Sequence, residues 1–134
     1  MDIMIDTNII ISAAFFPNAR MNRLLNAISN EHKLFLCSYS LDEVSRVVNR
    51  KFPSGLRDME LFLHKLRHTL VRTPSVDILD TDIVIRDKND YPILVSAIIA
   101  DVDVLVTGDK DFGGLDLERP EILTLAEFGE KYLR

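Results

Sequence analysis

The sequence has one cysteine and no tryptophan in 134 residues. Cys37 has no second thiol to pair with, so a disulfide-stapled secreted scaffold and a cysteine-rich zinc module are both excluded. It sits in the apolar run Lys33-Leu34-Phe35-Leu36-Cys37 and reads as a small buried hydrophobe rather than a nucleophile. Glycine and proline are sparse at five each, and no Gly/Ser-rich linker, repeat or low-complexity segment divides the chain, so one domain is expected over 1–134. No basic segment leads into an apolar stretch at the start, and no run is long enough to span a bilayer. A cytoplasmic protein without a membrane segment is the expectation. Positive charge is also short: Lys and Arg total 16 against 21 Asp and Glu, a formal charge of -5. That argues against holding nucleic acid by bulk positive charge, and leaves open a site where carboxylates do chemistry.

What is present is a 47% hydrophobic composition arranged in short runs. Ile3-Met4-Ile5 is a buried-strand pattern that stops at Asp6-Thr7-Asn8, read as a loop. Residues 19–30 fit a helix with Met21, Leu24, Leu25 and Ile28 on one side. Leu34 to Cys37 is a second strand, and Ser40 opens a helix carrying Leu41, Val44, Val47 and Val48. Pro53-Ser54-Gly55 ends it, and the apolar face of Met59, Leu61, Phe62, Leu63, Leu66 and Leu70 predicts a further helix from Leu56 to Leu70. A weaker strand is expected between Leu70 and Ile78, and a helix is expected to open at Asp90-Tyr91-Pro92. Val102 to Val106 is the strongest strand signal and stops at Thr107-Gly108-Asp109. Ile122-Leu123-Thr124 reads as a last strand before a helix from Ala126 to Tyr132. Short apolar strands alternating with helices predict an α/β fold, a three-layer α/β/α sandwich around a mostly parallel sheet.

Functional residues of such sheets gather at the carboxyl ends of the strands. The first strand runs into Asp6, and the strongest runs into Asp109 with Asp111 two residues on. Asp90 precedes a helix that must start near that same edge, and Glu43 lies early in the helix after the second strand. Asp6, Glu43, Asp90 and Asp109 can therefore converge. Converging carboxylates repel unless a cation sits between them, and hard divalent ions such as Mg²⁺ or Mn²⁺ favour carboxylate oxygens. A metal there activates water and stabilises charge on a phosphoryl oxygen, so the chemistry implied is phosphodiester hydrolysis. Each acid also has a plainer role. Asp6 can cap the turn after its strand, Ser40 to Glu43 fits a capping box, Asp90 suits an N-cap, and Asp109 and Asp111 suit turn chemistry.

Ile5-Asp6-Thr7-Asn8-Ile9, Ser38 with Leu41 and Glu43, Arg86 to Asp90 followed by Ile93, Leu94 and Ala97, and Leu105-Val106-Thr107-Gly108-Asp109-Lys110-Asp111-Phe112 occur in an order that resembles the PIN-domain ribonucleases. The likeness is strongest to the toxin branch of the VapC kind and covers nearly the whole chain. It departs at Asn89, where relatives often carry another acid, and at Leu125, where a proline is common. The resemblance implies Mg²⁺- or Mn²⁺-dependent cleavage of RNA. It assigns metal binding to Asp6, Glu43, Asp90 and Asp109, with Asp111 as a fifth acid, and gives Asn8 and Thr107 a part in orienting a water or an acid. It further implies an antitoxin partner and a homodimer.

An RNA substrate needs cations beside the acids; Arg46, Arg50 and Lys110 lie nearest in sequence, and the plainer reading of each is a solvated surface charge. His64 and His68, four apart, read as a partly exposed pair on a helix, and lack the glutamate of the zinc-protease motif. Two other classes of function stand beside the nuclease. One is a metal-dependent phosphatase, whose usual second aspartate is replaced by Asn8; the other is a non-catalytic binding module, which would normally have lost acids that this chain retains.

Overall fold

The computed structural model describes residues 1–74, 91–108 and 118–133. The strands are β1 (Asp2–Ile5), β2 (Lys33–Cys37), β3 (Thr69–Val71), β4 (Val104–Val106) and β5 (Glu121–Leu123). The helices are α1 (Thr7–Phe15), α2 (Ala19–Glu31), α3 (Ser38–Lys51), α4 (Leu56–Lys65), α5 (Tyr91–Ile99) and α6 (Leu125–Tyr132), with a 3-10 turn at Pro53–Gly55 between α3 and α4. The five strands form one parallel sheet in the order β3-β2-β1-β4-β5. Ile3 is in register with Leu34 on one side and Val104 on the other, and Ile5 with Val106.

Strand side chains alternate between two cores. Ile3, Ile5, Leu34, Leu36, Val104 and Val106 face one core, which α1, α2, α3, α4 and α6 cover with Ile9, Ile10, Leu25, Ile28, Val44, Val48, Met59 and Phe128. Met4, Phe35, Cys37 and Leu105 face the other, covered by Ile93, Leu94 and Ala97 of α5. Among the described residues the expected three layers are present, with most of the helices on one side. Cys37 is fully buried, as its apolar surroundings predict.

Four local expectations need correction. The segment after Asp6 is a helix, not a loop: the Asp6 carboxylate accepts the Ile9 N–H and caps α1. Ile9-Ile10-Ile11 has poor intrinsic helix preference, but burial of Ile9 and Ile10 in the main core overrides it. The helix from Leu56 ends at Lys65; Leu66 is extended, and Leu70 belongs to β3, where it pairs in register with Leu36. Leu70 is 53% exposed because β3 is an edge strand. His64 and His68 consequently do not share a helix, and the His68 ring bonds the Leu66 carbonyl at 2.7 Å. Finally, α3 begins at Ser38 rather than Ser40, with Cys37 at its N-cap and no side-chain capping bond. Ser40 is no N-cap: it is fully buried, with its hydroxyl 3.2 Å from the Cys37 thiol, and Glu43 lies in the second turn. The capping box that is present joins Thr124 and Glu127 at the start of α6.

Candidate active site at the sheet switch point

Chain connections leave β1 towards β2 and β4 towards β5, in opposite directions, so a crevice opens beyond the carboxyl ends of β1 and β4. Asp6 and Thr107-Gly108 are the residues that the two strands deliver there. Their proximity follows from the β1–β4 register, which the Asp6 N–H extends by donating to the Val106 carbonyl at 3.1 Å.

Asp6 is only 3% exposed. Its Oδ1 accepts the Ile9 N–H at 3.0 Å, and its Oδ2 accepts the Gly108 N–H at 3.3 Å and the Thr107 hydroxyl. These donors replace the water a buried carboxylate would otherwise require, and the N-terminus of α1 adds its positive end. They also fix the rotamer, so the carboxylate is held in one orientation. Thr107 is itself buried at 1% exposure, its backbone N–H committed to the Leu123 carbonyl at 2.9 Å. The hydroxyl of Thr7, the residue after Asp6, is buried without a hydrogen-bond partner. Such an atom ordinarily finds a bond, and among the described residues it has none. Asn8 is exposed in the first turn of α1.

Glu43 is half-buried, one helical turn beyond Tyr39, and has no hydrogen bond or ion pair among the described residues. The Arg46 guanidinium lies over the Tyr39 ring, 5.9 Å from its centroid, so that cation folds back towards the edge where α3 begins. Arg50 is in the last turn of α3, about 18 Å along the axis from Ser38, and so at the far end of the helix from that edge. Asp90, Asp109, Lys110 and Asp111 lie outside the described residues. Among the described residues no group of three or more histidine, cysteine or acidic side chains could hold a metal ion. Of the acids expected from the sequence, Asp6 and Glu43 lie within them, both with hard oxygen donors, one after β1 and the other in the second turn of α3. That donor chemistry, together with the unpartnered Thr7 hydroxyl, fits a hard divalent cation.

Sequence reasoning named Asp6, Thr107 and Glu43 but missed the backbone donors of Ile9 and Gly108. The Asp-Thr-Asn signature of a helix start was the available signal for Ile9. No sequence signal singled out the buried Thr7 hydroxyl. A cavity of about 540 Å³ between α2 and α6, lined by Arg20, Arg23, Leu24 and Tyr132 among others, contains none of the proposed acids.

Comparison with known proteins adds three findings. No curated protein matches the chain. Among solved structures, a chain in the crystal structure of VapBC2 from Rickettsia felis bound to a DNA fragment from their promoter superposes with a TM-score of 0.72. It is 21% identical, and the alignment covers 92% of this chain and 97% of that one, so the two share a fold. The family model described as PIN domain matches residues 2–111. With the acid-bearing β1 edge, the Thr107-Gly108 turn against it and this match over most of its length, the chain belongs to the PIN domain family of nucleases.

Proposed function

We propose that the chain is a metal-dependent endoribonuclease, acting as the toxin of a toxin–antitoxin pair. The observation that carries this reading is the buried Asp6 carboxylate, gripped by Thr107, Gly108 and Ile9 at the switch point of a parallel sheet. A carboxylate fixed in this way at a ligand-binding edge is arranged to coordinate rather than merely to cap.

Asp6 and Glu43 would hold a Mg²⁺ or Mn²⁺ ion, joined by Asp90 and Asp109, with Asp111 as a further acid. Such an ion supplies Lewis acidity, lowering the pKa of water and offsetting charge on phosphoryl oxygens. The rest is done by the chain. Thr107 orients Asp6 through the hydroxyl bond, and Asn8, exposed in the first turn of α1, would orient a water or an acid. Arg46 and Lys110 offer cations to the RNA backbone, with Arg50 contacting a more distant phosphate. Four of the five excess negative charges are accounted for by the four proposed metal ligands, which leaves the remaining surface close to neutral. Binding of RNA then depends on the cation.

The antitoxin is supported by the resemblance and by the VapBC2 complex one of whose chains shares this fold, and the cytoplasmic location by the resemblance alone. Among the described residues no helix is long and apolar enough to cross a membrane. A homodimer belongs to the same proposal, and so does a single domain over the whole chain. The test is cleavage of a labelled single-stranded RNA by the purified chain. Activity should require Mg²⁺ or Mn²⁺, vanish with EDTA and return when the ion is added in excess. Cleavage that survives complete chelation would overturn the reading.

A further inference from the structure

The helix that carries Glu43 lacks a side-chain cap of its own, because Cys37 stands at its N-cap. The first turn of a helix has N–H groups with no partner inside the helix, and one of these belongs to Tyr39. It is satisfied from 34 residues away: the Tyr39 N–H donates to the Thr73 hydroxyl at 3.0 Å. The Thr73 N–H in turn donates to the Ser38 hydroxyl at 2.9 Å. This reciprocal pair has the logic of a capping box, with its two halves in different parts of the chain. The contrast with α6, whose box is local, is direct.

Thr73 also reaches the other core. Its Oγ1 lies 2.9 Å from the hydroxyl of Ser96, a fully buried residue of α5. Ser96 Oγ lies 2.8 Å from the Pro92 carbonyl one turn back. Ser96 has a single hydroxyl proton, so when it serves Pro92 the Thr73 proton serves Ser96. The bonds then run in one direction, from Tyr39 N–H through Thr73 and Ser96 to Pro92, with every proton used once. One side chain therefore ties the start of α3 to the first turn of α5.

We infer that Thr73 is a positioning residue for the acid site, setting the start of α3, and with it Glu43, against the first turn of α5. The inference rests on the nuclease reading, in which Glu43 is a metal ligand. Thr73 touches no substrate and acts only through the two helices. Loss of its hydroxyl removes the Thr73 bond to the Tyr39 N–H one turn before Glu43 and the Thr73 bond to Ser96. Partners that orient metal ligands typically change metal affinity by about 10- to 100-fold when removed.

The experiment compares Mn²⁺ binding by the full chain, read by calorimetry and by the electron-spin signal of free Mn²⁺. Thr73→Val keeps the branched shape and removes the hydroxyl; it should weaken Mn²⁺ binding by roughly tenfold, and Thr73→Ser should recover most of the loss. In a Glu43→Gln background, Thr73→Val should add little further loss, because the effect passes through Glu43. Thr124→Ala, which removes a comparable cap from α6, should leave Mn²⁺ affinity unchanged. A folded Thr73→Val protein with wild-type affinity overturns the inference, as does a loss equally large in the Glu43→Gln background. If Thr73→Val does not fold, Ser38→Ala removes the other half of the pair and should weaken binding in the same direction; unchanged affinity there also overturns it. A wild-type chain that binds no Mn²⁺ instead overturns the nuclease reading, and this inference with it.

Discussion

Asp6 has two roles in the structure that one substitution can separate. It caps α1 through Oδ1, and its Oδ2, bonded to Thr107 and Gly108 at the switch point, supplies the charge of the proposed metal ligand. Asparagine caps helices about as well as aspartate, so Asp6→Asn keeps the bond from the Ile9 N–H. At Oδ2 the new amide nitrogen is a donor facing the Gly108 N–H, so that bond is lost. The Thr107 hydroxyl can rotate and accept instead. The exposed Gly108 backbone finds water. One charge-assisted bond is thus lost and the other two become neutral, a cost of about 1–2 kcal/mol. Set against a typical stability of about 5–15 kcal/mol, the fold survives. The melting temperature should fall by roughly 3–8 °C for a chain of this size. Asp6→Ala removes the cap as well and should cost about 0.5–2 kcal/mol more. Activity should not follow stability. Both variants lose the charge proposed to hold the ion, and on that reading RNA cleavage should drop at least about a hundredfold in each. The assay is cleavage of labelled RNA by protein free of contaminating nuclease, with circular dichroism to confirm folding. Cleavage by folded Asp6→Asn within about threefold of wild type would refute the metal-site argument. Equal destabilisation by asparagine and alanine would refute the capping argument separately.

Two further predictions concern stability. Glu121 accepts bonds from Lys131 and from the Tyr132 hydroxyl, and these partners, Lys131 foremost, hold its carboxyl below the ordinary 4.5. A depressed carboxyl stabilises the fold above its unfolded-state value, and that contribution is lost as pH falls through the folded one. Glu121→Gln should therefore lower the melting temperature slightly at neutral pH and converge with wild type in acid; the difference should shrink in high salt, since the group is near the surface. A constant difference down to acid pH would sink this account. Gly55 is small for a packing reason: an added Cβ would lie 2.7 Å from Phe15 Cε1 and 3.0 Å from Cζ, on a ring stacked against Phe52 with centroids 4.8 Å apart. Gly55→Ala should cost about 1–3 kcal/mol in denaturant unfolding, and Phe15→Leu added to it should recover part of that loss. An unperturbed Gly55→Ala protein would show that the contact relaxes freely.

The sequence by itself determined strands from Ile3 to Ile5, Leu34 to Cys37 and Val102 to Val106, which fold as Asp2–Ile5, Lys33–Cys37 and Val104–Val106, because short apolar runs closed by turn residues have few other solutions. It also placed Asp6 and Thr107 at strand ends, and so on one edge of a parallel sheet. Where it misled, a local pattern met a stronger distant partner. Ile9-Ile10-Ile11 has the composition of a strand, yet α1 forms because Asp6 caps it and the core buries it. Leu70 continues a helical period, yet it pairs with Leu36, since an extended segment there completes the edge of the sheet. Ser40 and Glu43 have the spacing of a capping box, yet the helix starts two residues earlier and takes its cap from Thr73. Only the tertiary structure decided that β1 lies beside β4, that Gly108 and Ile9 complete the grip on Asp6, and that Thr73 joins α3 to α5. Periodicity reports which side of an element is apolar. A buried hydrogen bond between residues far apart in sequence depends on which elements become neighbours, and no local pattern encodes that.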